Sequence, residues 1–142
     1  MSDTSFLAPL ILREATSEAV DAFMRGLGEQ VLAVSHWTRV ELSSLLAREV
    51  RMGALDSAQA ARADVSFEAM TQSSFRILRP DIDDFSLAKA YLGRAETGLR
   101  AGDALHLAIA RNHGASAIYS LDRAFVRAGL MLGVPTSEAI RG

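Results

Sequence analysis

Short apolar runs alternate along the chain with longer stretches whose apolar residues recur every three or four positions, the periods of strand and helix. Residues 5–12, SFLAPLIL, are apolar and are predicted to start as a helix despite Pro9. TSEAVDAFMRGL (16–27) opens on a Ser or Thr cap and continues amphipathically. VLAVS (31–35) reads as a short strand and TRVELSSLLAREVRMG (38–53) as a helix stopped by Gly53. A second long helix is predicted over 56–74, capped by Asp56 or Ser57, followed by a strand in FRILRP (75–80) that Pro80 ends. Helix is predicted again over 83–96 and from AGDALHLAIA (101–110) to about His113. SAIYSL (116–121) reads as strand, 122–132 as helix, and Val134–Pro135 as a last short strand. Strands separated by helices predict an α/β fold with a parallel sheet covered on both faces. With no linker, repeat or low-complexity tract, residues 1–142 are expected to form one domain.

Sheets of this kind place their sites beyond the carboxyl ends of the strands. Asp3 precedes the first helix, and Asp122 directly follows the run Ala117–Leu121. Asp103 lies in the first turn of its helix after Gly102, and Glu41 about one turn into the helix after 31–35. Each has a plain explanation alone: Asp3 and Asp122 as helix caps, Asp103 at a helix dipole, Glu41 as a solvated helix residue. Together they share a predicted rim. Glu41 lies in a stripe with Trp37, Ser44 and Arg48, and Asp103 shares a stripe with His106.

Carboxylates gathered in this way repel, and at least one should resist ionisation unless a cation intervenes. Mg²⁺ or Mn²⁺ answers that need with oxygen ligands. The absence of Cys and the three scattered His argue against zinc. Such a cation would draw a phosphodiester into an acidic pocket and activate water for in-line attack. Whether one metal or two is used stays open.

Composition narrows the setting. The net charge of −2 excludes a uniformly basic nucleic-acid binder. Lys89 is the single lysine among fifteen basic residues, so the cations are nearly all the planar forks suited to phosphate. The lack of Cys fits a reducing cytoplasm. No signal peptide and no apolar run near the roughly 20 residues of a membrane span are visible, so a cytoplasmic protein with no membrane partner is expected. There is no P-loop and no G-x-G-x-x-G.

The ordered set DTS (3–5), VEL (40–42), AGDALHLA (101–108) and SLD (120–122) resembles the PIN-domain ribonucleases, in particular the VapC toxins of bacterial toxin–antitoxin pairs. The likeness spans almost the whole chain. It implies a three-layer α/β/α fold with a central parallel sheet of four to five short strands. It also implies four acids, Asp3, Glu41, Asp103 and Asp122, around Mg²⁺ or Mn²⁺. Thr4 or Ser5 would orient Asp3, and Ser120 would support Asp122 or a phosphate oxygen. His106 would pack or hydrogen-bond behind the acids. Such proteins cut RNA internally, form homodimers, and are silenced by a cognate antitoxin that inserts a peptide segment at or near the pocket. Arg13, Arg39, Arg100 and Arg123 are the cations nearest the motif acids in sequence and are candidates for RNA phosphate, against ordinary surface charge. Trp37 is a candidate for stacking on a base, against core packing. The exposed part of the helix pair 38–74 is a candidate surface for the antitoxin or a second copy.

One departure stands out. In these proteins the first Asp ends an apolar strand, whereas here only Met1 and Ser2 precede it. The first strand is therefore expected to be truncated, with a natural start upstream. Otherwise Asp3 should be poorly anchored, the α-amino group near the metal site, and activity reduced. The alternative function is accordingly a catalytically impaired PIN scaffold that binds protein within an antitoxin or DNA-bound complex. DNA cleavage is a third reading.

Overall fold

In the computed structural model, which describes residues 1–12, 17–27 and 32–138, carboxylates begin four of the helices. Asp3 accepts the N–H of Phe6 to start α1 (Thr4–Ile11). Asp56 and Asp81 form reciprocal capping boxes with Gln59 and Asp84 at α4 (Ser57–Ser74) and α5 (Ile82–Leu92). Asp122 accepts from Ala124 and Phe125 to start α7 (Arg123–Met131). The other helices are α2 (Ser17–Gly26), α3 (His36–Arg51) and α6 (Ala101–Asn112). Gly53, at a φ of 80°, lets the chain leave α3 in the left-handed region. Thr16 and Val31, at the starts of a predicted helix and strand, lie outside the described residues.

Strand β1 (Leu32–Ser35) pairs parallel with β2 (Phe75–Leu78), and β3 (Ile118–Tyr119) with β4 (Thr136–Ser137). The last strand lies just beyond the predicted Val134–Pro135. Pro135 cannot donate to a ladder, though its carbonyl accepts from Ile118 at 2.9 Å, and Val134 is buried in the core instead.

Met1 and Ser2 join the two pairs. The Ser2 N–H donates to the Ala33 carbonyl at 3.1 Å. Tyr119 donates to the Met1 carbonyl at 2.8 Å, and Asp3 donates to the Tyr119 carbonyl at 3.0 Å. Ser2 thus forms a parallel bridge to Tyr119, and the spatial order reads β2, β1, Met1–Ser2, β3, β4. Met1–Ser2 stands at the centre of the sheet. The expectation of a poorly held Asp3 is corrected here, because anchoring comes from backbone hydrogen bonds on both sides and does not need a full strand. The α-amino group donates to the Ala117 carbonyl at 3.0 Å, before β3, while Asp122 lies past the other end of that strand.

Alternation along these short strands separates two cores. Leu32, Val34 and Phe75 pack with Phe6, Leu7, Val20, Leu42, Leu46 and Phe67 from α1 to α4. Met1, Leu78 and Ile118 pack with α5 to α7 through Ala88, Tyr91, Leu105, Leu107, Ile109 and Phe125. Helices therefore cover both faces, giving three layers, α/β/α. No described helix is long and apolar enough to cross a membrane.

Candidate active site

The carboxyl ends of Met1–Ser2, β1 and β3, together with the first turn of α6, bring distant acids to one place. Glu41, Asp103 and Asp122 line a cleft of about 480 Å³ with Trp37, Val40 and Arg100. Asp3 is buried behind it, 5% exposed. A larger cleft, about 570 Å³, lies between the end of α1 and the α3–α4 hairpin, but its charged lining is only Glu49 and Arg62. Converging chemistry therefore belongs to the smaller one.

Asp3 is held by three donors. Ser5 Oγ donates to Oδ1 at 2.8 Å, Ser120 Oγ to Oδ2 at 2.7 Å, and the Phe6 N–H to Oδ1 at 3.1 Å. The two hydroxyls also tie down the turn after β3. Leu121 donates its N–H to Ser5 Oγ at 2.9 Å, and Asp122 donates to Ser120 Oγ at 3.0 Å. Burial raises the Asp3 carboxyl above the usual range, against the opposing pull of Ser120, His106, Ser5 and Phe6. Thr4, considered for Asp3 from sequence, instead donates to Glu41 Oε1 at 2.9 Å.

Glu41 is no solvated helix residue. His106 Nε2 reaches the same Oε1 from α6, and the His106 side chain is 2% exposed. Burial works to raise the Glu41 carboxyl. The hydrogen bond and charge of His106, the Thr4 hydroxyl and the Trp37 N–H more than offset it, and the carboxyl lies below its usual range. The indole N–H makes no hydrogen bond of good geometry, so its pull is that of a nearby dipole.

Asp103 behaves in the opposite way. Burial raises its carboxyl, and Asp122, Glu41 and Asp3 each raise it further; only His106 opposes them. Three like charges therefore act on one partly buried carboxyl at the head of a helix whose dipole should favour ionisation.

Two contributors to this site were missed in the sequence. Gly102 carries no side chain where one would not fit: a Cβ there would lie 2.9 Å from Glu41 Oε2 and 3.4 Å from Trp37 Nε1. Ser44 lines the cleft one turn beyond Glu41; its place in the Trp37–Glu41 stripe was the available signal. The proposed cations divide. Arg100 lines the cleft. Arg39 Nε is paired with Glu68 Oε1 at 2.9 Å, its Nη1 meets His36 Nδ1 at 3.0 Å, and it does not line the cleft. Arg123 is mostly exposed, 3.7 Å from Glu138. Arg13 lies outside the described residues. Trp37 both lines the cleft and packs against the core beneath α6.

The sequence matches the PIN domain over residues 1–130. The chain belongs to the PIN-domain family. Solved structures share its architecture. One is the sarcin–ricin-loop-cleaving toxin VapC20 of Mycobacterium tuberculosis, with a TM-score of 0.74 and 24% identity, covering 90% of this chain and 93% of that one. FitAcB of Neisseria gonorrhoeae gives 0.66 at 20% identity, covering 95% and 94%. VapBC-1 of nontypeable Haemophilus influenzae gives 0.65 at 16%, covering 96% and 95%. No curated protein matches the sequence.

The donor set of this PIN domain suits a hard divalent cation. Its oxygens are carboxylate and hydroxyl, and Asp103 is raised by burial and by repulsion that His106 only partly offsets and that a cation would relieve. Among the described residues no group of three or more Asp, Glu or His side chains is gathered closely enough to hold a metal ion. A cation here would have to take one or two of the carboxylates directly and complete its shell with water, as Mg²⁺ commonly does.

Proposed function

We propose that this PIN domain is a Mg²⁺- or Mn²⁺-dependent endoribonuclease, the toxin of a toxin–antitoxin pair. The observation that carries the reading is the convergence of Glu41, Asp103 and Asp122 on one open cleft, with Asp3 buried behind it. When bound, the cation would supply Lewis-acid activation of water and screening of the phosphodiester charge. Asp103 and Asp122 are the proposed holders at the cleft wall, with Glu41 beside them and Asp3 behind. Arg100 is the cation best situated to grip an RNA phosphate. Trp37 would offer its ring edge or face to a base. An antitoxin partner, a homodimer and a cytoplasmic setting follow from the family likeness.

The scaffold alternative rested on the short start of the chain, and the three donors on the Asp3 carboxylate favour the nuclease reading over it. Purified chain incubated with structured RNA should cut it with Mg²⁺ or Mn²⁺, not with chelator, and not after Asp103→Asn. Sequencing RNA 5′ ends after brief expression of both forms identifies the cut. Equal cleavage by wild type and D103N would sink the proposal, and preference for DNA in competition would redirect it.

A further inference from the structure

We infer that His106 is a positioning residue that, with Thr4, pins one oxygen of Glu41 and so leaves the other to face the cleft. The inference rests on the nuclease reading for its consequence, while its geometry stands apart from it. His106 Nε2 and Thr4 Oγ1 converge on the same atom, Glu41 Oε1. Oε2 lies on the other side, against the bare Cα of Gly102, in the wall shared with Asp103. A carboxylate at the end of a flexible side chain costs conformational entropy to hold still. Two donors from different helices hold it here without using the oxygen that faces the cleft.

The histidine ring is placed for this single task. It is sealed against Phe125, with ring centroids 6.4 Å apart, and Nδ1 is buried without a partner. A buried polar nitrogen left unpaired carries a cost, and the bond to Glu41 is what the ring gains in exchange. A carboxylate oxygen only accepts, so Nε2 is the atom that donates in this bond. His106 sits three residues after Asp103, on the same face of α6. The turn of helix that delivers Asp103 to the cleft thus also fixes Glu41, which belongs to α3. One substitution at His106 should loosen Glu41 while leaving Asp103 in place.

The test compares His106→Gln, whose amide N–H can reach the same oxygen, with His106→Leu, which packs but cannot donate. Three readouts are taken on the full chain: RNA cleavage with Mn²⁺, Mn²⁺ affinity by electron paramagnetic resonance, and crystal structures of both variants. H106L should lose about 30- to 100-fold in kcat at saturating Mn²⁺, with KM within about threefold. H106Q should recover most of that loss. In the H106L crystal the Glu41 carboxylate should leave its place beside Gly102, and in H106Q it should stay. If wild type cuts no RNA, the nuclease reading fails, and the positioning claim is judged on the crystals and on Mn²⁺ affinity. An unmoved Glu41 in H106L, or equal kinetics for the Gln and Leu variants, overturns it.

Discussion

Ser120 and Asp3, 117 positions apart, share a buried hydrogen bond of 2.7 Å, and the same serine oxygen accepts the Asp122 N–H at 3.0 Å. One hydroxyl therefore sets the spacing between two of the site's acids. Ser5 makes a parallel link, from Asp3 to the Leu121 N–H. Removing the Ser120 hydroxyl leaves a buried carboxylate oxygen and a backbone N–H short of partners. Ser120→Ala should cost about 2 kcal/mol by denaturant unfolding. Metal-dependent cleavage should fall more than that loss of stability explains, because Asp3 and Asp122 lose their common reference. Unchanged stability would mean that water replaces the hydroxyl fully.

Asp103 is expected to trade stability for function. Its carboxyl is raised by burial and by Asp122, Glu41 and Asp3. A carboxyl raised in the folded state binds its proton more tightly there than in the unfolded chain. Its contribution is thus fully present below the ordinary value near 3.8 and is lost as pH rises through the higher folded value. In chelator, Asp103→Asn should therefore be more stable than wild type at pH 7, by about 1 kcal/mol or roughly 3–6 °C in Tm. The two should converge near pH 3. Mn²⁺ should narrow the gap at pH 7 by stabilising wild type alone. A D103N protein less stable than wild type at pH 7 in chelator would remove the case for repulsion at this site.

Gly102→Ala probes the same wall sterically. Alanine gains about 1 kcal/mol over glycine in a helix, but the new Cβ would lie 2.9 Å from Glu41 Oε2. Stability should change little, while kcat should drop at least about tenfold as Glu41 is displaced. Steady-state kinetics beside a thermal melt separate the two effects, and full activity in G102A would show that Glu41 can move without consequence.

These residues also show how much the chain discloses before it folds. The alternation of strand and helix, the caps at Asp56 and Asp122, and the covered parallel sheet follow from local patterns that side-chain chemistry enforces. The four candidate acids stood out because each lies at a strand end or within the first two turns of a helix. Met1–Ser2 was not, since its place in the sheet comes from backbone N–H and C=O groups, which every sequence carries alike. The sequence offered Thr4 or Ser5 for Asp3 and could not choose between them; the turn of Thr4 to Glu41 and the bond of Ser120 to Asp3 were equally hidden. Adjacent hydroxyls differ only in the direction the first turn of α1 gives them. Arg39 looked like a cleft cation because it neighbours Glu41 in sequence, but two positions along a helix turn it to Glu68.

The arginines give a paired prediction. Arg100 lines the acidic cleft, whereas Arg39 is committed to Glu68 and His36. Arg100→Gln should weaken RNA binding several-fold and reduce the salt dependence of log K by about 0.7–1, the signature of one lost phosphate contact. Arg39→Gln should leave that slope alone and cost no more than about 1 kcal/mol of stability, since the ion pair it breaks is partly exposed. Titrations in filters or by anisotropy at several salt concentrations read both. Equal slopes for R100Q and wild type would take Arg100 out of the RNA path.

Trp37 is the sole tryptophan and stands at the cleft wall beside Glu41. Its fluorescence is therefore a local reporter of what enters the site. Mn²⁺, being paramagnetic, should quench it strongly on binding, while Mg²⁺ should compete the quench away without producing one of its own. D103N should abolish the saturable part of the Mn²⁺ effect, leaving only the weak linear quench of collisions in solution. Trp37 also packs against the core cluster that includes much of α6, so Trp37→Phe, which keeps an aromatic ring there, is the control for a structural cause. If W37F, read by electron paramagnetic resonance because it lacks the reporter, retains wild-type Mn²⁺ affinity and D103N has none, the cation is held by the acids and not by the indole. A Mn²⁺ quench identical in wild type and D103N would mean that no cation is held where Asp103 points.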